Sequence, residues 1–77
     1  MADGRNTQLD RTVAVVINGD ARQVDATSLA GLLDVLGYSE QKVATAVNGD
    51  FIAARLRTTT ILHPGDEIEI VAPRQGG

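Results

Sequence analysis

The sequence has no cysteine and no tryptophan, and it contains histidine, phenylalanine and tyrosine only once each. Without a thiol, the chain can form no disulfide and offers neither a cysteine nucleophile nor a thiolate ligand for a metal. The single histidine, His63, is too few for a zinc site, and no nucleophile is placed to form a catalytic pair with it. These absences favour a reducing, cytoplasmic location and argue against an enzyme.

Long apolar runs are also missing, because no segment approaches the roughly 20 apolar residues that a membrane-spanning helix needs. Residues 1–11 are polar and lack the apolar centre of a signal peptide, so we expect no membrane association. The net charge is −3 at pH 7, and nucleic-acid binding requires clustered cations and aromatic faces that this chain lacks. The composition therefore favours a protein partner with a basic docking surface.

The length of 77 residues leaves room for one small domain, and its pattern predicts mostly strands. Two Asn-Gly-Asp triplets, at 18–20 and 48–50, predict tight hairpin turns, because type I′ turns need positive φ at both central residues. The interval 53–62 is less regular and is predicted to be an edge strand or a loop anchored by Leu62. Alternating or β-branched residues predict strands at 12–18, 21–24, 42–48 and 67–71, with a short return strand that starts at Phe51.

One helix is predicted between the second and third strands. Thr27 or Ser28 can cap its start, and Gly37 stands where a glycine commonly ends a helix. The apolar positions at i, i+3, i+4 and i+7 are Leu29, Leu32, Leu33 and Leu36. This stripe is expected to cover the sheet rather than to form a groove for a partner, because no other helix is predicted to do so.

The charged residues do not form a recognisable catalytic group. Glu67 and Glu69 alternate with Ile68 and Ile70, so they are expected to form a solvated sheet face rather than a catalytic carboxylate pair. His63 precedes a Pro-Gly-Asp turn and is expected to be an exposed loop residue.

The last five residues are unusual because they follow a complete strand and end in two glycines. Pro73 ends the strand, since it has no N–H to donate, and Arg74 and Gln75 are polar. One interpretation of Gly76 and Gly77 is an ordinary frayed end. The other is a carboxylate that is activated as an acyl adenylate made from ATP. An extended tail of this length spans at most roughly 17 Å, and glycines would let it enter a narrow channel of a partner enzyme.

Four segments together resemble a known family, the ubiquitin-like sulfur carriers of the ThiS/MoaD type, and among these the thiamin-biosynthesis branch. They are VVINGDARQV, TSLAGLLDVLGY, VATAVNGDFIAAR and TTILHPGDEIEIVAPRQGG. The resemblance implies a β-grasp fold of the α+β class, with a mixed sheet of four to five strands and one main helix packed across it. The resemblance covers about residues 12–77, with a β-grasp domain at 12–72 and a C-terminal tail at 73–77, and it leaves outside a flexible polar arm at 1–11 that is longer than such carriers usually need.

The resemblance further implies a function for the tail. In such carriers an E1-like (ThiF-like) adenylyltransferase activates the terminal carboxylate, here that of Gly77, with ATP that the partner binds. A relay from a cysteine desulfurase then gives a thiocarboxylate, and a ThiG-like thiazole synthase takes its sulfur. The carrier itself binds no cofactor. By their positions, Phe51, Ile52 and Val71 are candidates for a docking face or for the core.

Four other functions remain open on the sequence alone, and one of them is a carrier for cysteine or another sulfur metabolite. A small subunit of molybdopterin synthase would use the same Gly-Gly chemistry. A β-grasp binding module would need no free Gly-Gly end, and a protein modifier would transfer its carboxyl group to lysine side chains. The fate of the Gly77 carboxyl group distinguishes these classes.

Overall fold

The computed structural model describes residues 12–38 and 42–72. The predicted arm at 1–11 and tail at 73–77 lie outside the described residues. Within those ranges the elements are β1 (Val13–Ile17), β2 (Asp20–Val24), α1 (Leu29–Leu36), β3 (Ala44–Val47), β4 (Asp50–Ile52), a 3-10 turn (Ala54–Leu56) and β5 (Glu67–Val71). None of the described helices has the length and apolar character needed to cross a membrane.

The described strands form one mixed sheet in the order β2-β1-β5-β3-β4. β1 and β2 are antiparallel, as are β3 and β4, so each hairpin supplies one half of the sheet. β5 lies between the two halves, parallel to β1 and antiparallel to β3. The last strand of the domain is therefore its middle strand, and α1 packs across one face of the sheet. This is the mixed sheet and single main helix expected of a β-grasp domain.

Both hairpin turns have the predicted geometry. Asn18 has φ 51° and Asn48 has φ 52°, and the glycine that follows each has φ near 88°. Two successive positive φ values are what a type I′ turn requires. The register agrees, since Ile17 pairs with Asp20 in the first hairpin and Val47 pairs with Asp50 in the second.

The helix begins and ends at the predicted residues. The Ser28 side chain accepts a hydrogen bond from the Gly31 N–H at 3.1 Å, which satisfies one free amide of the first turn. Gly37 has φ 89°, and the Tyr38 N–H donates to the Leu33 carbonyl at 2.8 Å. The core between helix and sheet contains Leu29, Leu32 and Leu33 from the helix and Val15, Ile17, Val24, Ile68 and Ile70 from the strands. The leucine stripe is therefore core, as predicted.

The interval 53–62 is a loop rather than an edge strand. It contains the 3-10 turn and a single β-bridge between Ile61 and Ser28. Leu62 is buried, and its N–H donates to the Thr27 carbonyl at 2.9 Å. The loop is thus fastened beside the start of the helix, and the predicted anchoring role of Leu62 is confirmed.

Candidate functional site

The candidate site is the end of the sheet from which the tail continues. β5 runs through the middle of the sheet, and its last residue, Val71, pairs with Ala44 at the start of β3. Because β1 runs parallel to β5, the first hairpin turn lies at this same end. Ala72 follows and is exposed. Pro73, Arg74, Gln75, Gly76 and Gly77 lie outside the described residues, and their roles remain predictions.

Asn18 extends the pairing of β5 beyond the end of β1. Its backbone N–H donates to the Ile68 carbonyl at 2.9 Å. Its side-chain Oδ1 accepts from the Ile70 N–H at 2.9 Å, and its Nδ2 donates to the Ile70 carbonyl at 3.2 Å. A side-chain amide has the same donor and acceptor groups as a peptide. The Asn18 amide therefore pairs with Ile70 as the backbone of one further β1 residue would.

The second turn makes an analogous contact at the other end of β5. The Asn48 backbone N–H donates to the Glu67 carbonyl at 2.7 Å, and its Oδ1 accepts from the Glu67 N–H at 2.9 Å. Its Nδ2 donates to the Asp66 carboxylate at 3.0 Å. The two Asn-Gly-Asp triplets are thus both hairpin turns and side-chain clamps on the middle strand.

The fold clearly shifts the pKa of the Asp66 carboxyl group. Its side chain is buried beside the turn and accepts from the His63 N–H at 2.8 Å as well as from Asn48. Burial raises the pKa of this carboxyl group, but the two hydrogen bonds and the nearby imidazole outweigh it and hold the pKa below its ordinary value of 3.8. The His63 imidazole lies 3.9 Å away and its side chain is 73% exposed, so His63 is the exposed loop residue that was predicted.

The sheet face opposite the helix carries two exposed apolar side chains. Phe51 is 71% exposed and Val71 is 62% exposed. The register places Phe51 opposite Ala46, and Ala46 opposite Glu69, so these three side chains form one row across the outer face. The β3 residues that lie opposite Phe51 and Val71 are Ala46 and Ala44. Because these side chains are small, this part of the outer face is a flat apolar surface next to the tail exit.

Ile52 does not belong to this face. It pairs with Thr45, whose side chain is buried, and it packs against the core from the inner side of the sheet. Since side chains alternate along a strand, neighbouring Phe51 and Ile52 must point to opposite faces. The structure therefore places Phe51 and Val71 on the same outer face, on two strands that flank β3, and Ile52 on the opposite face.

A shallow depression lies beside the tail exit. It has a volume of about 300 Å³ and is lined by Lys42, Val43, Ala44 and Val71. Its walls are mostly apolar, and one lysine stands at its edge. The depression continues the outer face up to the point where β5 ends.

This end of the described sheet presents the Asn18 clamp on β5 and an apolar outer face. Glu67 and Glu69 are exposed on the outer face, as predicted for a solvated surface. In the part of the chain that the structure describes, no three His, Cys, Asp or Glu side chains come together as a metal site would require. What the arrangement can do is hold an extended chain at the end of a rigid strand beside an apolar surface.

Sequence patterns identified the turns but not the clamps. The Asn-Gly-Asp triplets predicted hairpins, yet nothing local indicated that Asn18 would bond a residue 52 positions away. Asp66 was likewise assigned only to a turn. The signal that was available is the repeated choice of Asn at the first turn position, where its side chain can bond a neighbouring strand.

Comparison with known proteins agrees with this geometry. The ThiS family model matches residues 15–77, which include all but the first three residues of the domain and continue through the tail. Among solved structures, the crystal structure of the thiamine biosynthesis protein ThiS from Geobacter metallireducens is similar, with 26% sequence identity and a TM-score of 0.70. The match covers 84% of this chain and 100% of that one. No curated protein matches the chain.

The sheet order, the single packed helix and this structural match define a β-grasp domain of the α+β class. Within that class, the chain belongs to the ThiS family. Membership of this family supports a sulfur-carrier role in thiamine biosynthesis and implies partner proteins in that process.

Proposed function

We propose that this chain carries sulfur for thiazole formation as a thiocarboxylate on Gly77. The observation that carries the proposal is the family match through residue 77, in a domain whose middle strand leads directly into that tail. The strand supplies a fixed base, and the five residues beyond Ala72 supply reach.

The proposed chemistry begins at the terminal carboxylate. One carboxylate oxygen of Gly77 attacks the α-phosphorus of ATP, pyrophosphate leaves, and an acyl adenylate forms. This step is needed because the α-carboxyl, with a pKa of about 3.3–3.7, is an anion at neutral pH and a poor electrophile. ATP is bound by an E1-like adenylyltransferase, and the chain acts as its protein co-substrate.

Sulfur then replaces the adenylate. The terminal sulfur of a persulfide, formed by a cysteine desulfurase, attacks the acyl carbon and AMP leaves. The product is an acyl disulfide, and a second thiol supplies the two electrons that cleave it to the thiocarboxylate. Thiazole synthase accepts this sulfur. No side chain of the carrier takes part in these steps.

Each residue of the tail has a proposed role in reaching the partner's active site. Pro73 separates the tail from the sheet, and Arg74 and Gln75 keep it solvated. Gly76 gives clearance for the narrow channel, since it adds no side chain. Gly77 carries the acyl group.

The outer face is the proposed docking surface for the adenylyltransferase, and the same face then serves the synthase. Phe51 and Val71 supply its exposed apolar anchors, and Glu69 lies beside them, at the β5 end of the row that starts at Phe51. An apolar centre with an acidic rim is complementary to a partner surface that has an apolar centre and a basic rim. The net charge of −3 would favour the encounter with such a basic partner.

The experiment that tests the function is intact mass spectrometry of the purified chain after reaction. The reaction contains the adenylyltransferase from the same organism, ATP, a cysteine desulfurase, cysteine and a reducing thiol. We expect a mass gain equal to the replacement of one oxygen by sulfur, located at Gly77. Adding thiazole synthase or the large subunit of molybdopterin synthase then shows which acceptor removes the sulfur.

Two variants serve as controls. Deletion of Gly77 should abolish the mass gain and leave the melting temperature unchanged, because the described core contains no residue beyond Ile70. Gly76→Leu should block adenylation by adding bulk in the channel. An unchanged mass would refute the proposal, provided that the same adenylyltransferase preparation adenylates another carrier protein. Normal adenylation of Gly76→Leu would refute the channel argument alone.

A further inference from the structure

Asn18 lies where β5 loses its neighbouring strand on one side. β1 ends at Ile17, and Asn18 turns the chain back with φ 51°. Its side-chain amide nevertheless holds both backbone groups of Ile70, at 2.9 Å and 3.2 Å. Among the hydrogen bonds of the described residues, these two are the nearest to the tail on the β1 side of β5.

The other side of the same strand end is held by a different contact. Val71 pairs with Ala44 in the antiparallel ladder with β3. The end of β5 is therefore held along both edges. Pairing with β3 holds one edge, and the Asn18 side chain holds the other. Loss of that side chain would leave the strand end attached along one edge, about which it could pivot.

We propose that Asn18 is a positioning residue for the tail, which fixes the direction in which the chain leaves the sheet. This inference rests on the proposed function. Ile70 lies three residues before Pro73, so a looser hold on Ile70 would leave the start of the tail less precisely placed on the domain. Since reaction at a bound carboxylate requires close placement against the nucleotide, a poorly directed tail slows the chemical step more than it weakens docking of the domain.

The molecule contains its own control for this idea. Asn48 occupies the same position of an identical Asn-Gly-Asp turn, with φ 52°, and its amide also holds β5. Its contacts are with Glu67 and Asp66, at the start of the strand. That point is about 10 Å from Ile70, at roughly 3.3 Å per strand residue. Substitution at Asn48 perturbs a turn and a clamp of the same kind without touching the tail.

The variants are Asn18→Gly and Asn48→Gly. Glycine adopts the positive φ of both positions without strain, so each turn is kept and each amide is lost. In the first variant we expect the Ile70 N–H to exchange with solvent about tenfold faster relative to the Leu32 N–H, which reports on the core. This factor corresponds to two lost hydrogen bonds of ordinary net strength. In the second variant the Glu67 N–H should respond and the Ile70 ratio should not.

The second measurement is the steady-state kinetics of adenylation. For Asn18→Gly we expect kcat to fall about tenfold while KM for the carrier stays within about twofold of the parent value, because the docking face is intact. Asn48→Gly should leave both constants within about twofold. Asn18→Asp keeps an oxygen that accepts from the Ile70 N–H but loses the donor, so it should recover part of kcat.

Three results would overturn the inference. Equal loss of kcat in both glycine variants would mean that only fold stability matters. A rise in KM at unchanged kcat would mean that Asn18 contacts the enzyme directly, through the open cleft of about 320 Å³ that it lines with Arg22 and Tyr38. An unchanged exchange ratio at Ile70 would mean that the amide does not hold the strand. Failure of the parent chain to be adenylated is a separate result, which refutes the proposed function itself and removes the reaction that the inference needs.

Discussion

Arg57 and Thr45 are joined on the inner side of the sheet, where the Arg57 Nε donates to the Thr45 Oγ1 at 3.1 Å. The same guanidinium group donates from Nη2 to the Val43 carbonyl at 2.6 Å. Thr45 is 2% exposed and donates its own proton to the Ile52 carbonyl at 2.8 Å. Arg57 thus joins the loop to the start of β3, and the Thr45 hydroxyl continues the hydrogen-bonded chain to the end of β4.

Removal of the Thr45 hydroxyl should destabilise the domain. Thr45→Val keeps the shape of the side chain but leaves the Arg57 Nε and the Ile52 carbonyl without this partner. We expect a loss of about 1–3 kcal/mol in the free energy of unfolding, measured by urea denaturation. Thr58→Val, at an exposed threonine of the same loop, should change the free energy of unfolding by less than about 0.5 kcal/mol.

In a double-mutant cycle of Thr45→Val with Arg57→Lys, the two effects on the free energy of unfolding should be coupled by about 0.5–3 kcal/mol. Simple additivity would show that the contact contributes nothing.

Asp66 should make stability depend on pH in the acid range. Because its folded-state pKa is held below 3.8, Asp66 contributes stability above that pH and loses it as the pH falls through the folded-state value. Asp66→Asn should cost about 1–3 kcal/mol at pH 7, since an amide cannot accept both hydrogen bonds. Below pH 3.8 the difference between the two proteins should shrink. Asp50→Asn, at the exposed first residue of β4, corrects for the change in net charge. A constant difference across the whole pH range would contradict the assignment.

Gly31 should tolerate a methyl group better than Gly37 does. Gly31 lies inside the helix, and a Cβ there would meet the Ser28 Oγ at 3.4 Å and the Ala26 Cβ at 3.6 Å, which are ordinary contacts. Gly31→Ala should therefore stabilise the protein by about 0.5–1 kcal/mol through helix propensity. Gly37→Ala should instead destabilise by about 1–2 kcal/mol, because φ is 89° there. Thermal unfolding of the two variants checks both signs, and a destabilised Gly31→Ala would show that the helix start cannot accommodate the methyl group.

Phe51 should matter for docking and not for folding. Phe51→Ala removes the larger exposed anchor of the outer face, so we expect the affinity for the adenylyltransferase to fall by about 1 kcal/mol or more, or at least fivefold. The melting temperature should stay close to the parent value, because the side chain is 71% exposed. Val35→Ala is the matched control, since Val35 is 54% exposed on the helix, away from this face. Binding is measured by calorimetry. Equal losses of affinity in both variants would show that the outer face has no special role.

Features that depend on neighbouring residues were predictable from the sequence. The positive φ of Asn18 and Asn48 follows from the Asn-Gly dipeptides, and the helix cap at Ser28 follows from its place before the leucine stripe. The alternation of Ile68 and Ile70 with two glutamates correctly assigned the buried and exposed faces of β5. In each of these cases the physical cause lies within a few residues of the feature.

Features that depend on distant parts of the chain were not predictable in this way. The predicted third strand, 42–48, is shorter in the structure, because pairing with β5 starts at Ala44. Arg57 was assigned to an edge strand or loop, and its bonds to Thr45 and Val43 depend on how that loop folds back. Ile52 was grouped with Phe51 because they are adjacent, although the pleat separates them. The first two of these features required the fold of distant segments, which no local pattern contains, whereas the opposite orientation of Phe51 and Ile52 follows from the alternation within one strand.

The position of β5 between β1 and β3 also determines how the domain would respond to a pull on its end. Hydrogen bonds between strands run across the sheet, roughly perpendicular to a force applied along β5. Such a load shears the pairs on both sides of the strand together, whereas a load on an edge strand can peel its pairs away one at a time. β5, which leads to Ala72, has one neighbouring strand on each side and therefore resists such a load better than an edge strand would. A partner that draws the tail into a channel would therefore pull against the best-supported part of the sheet.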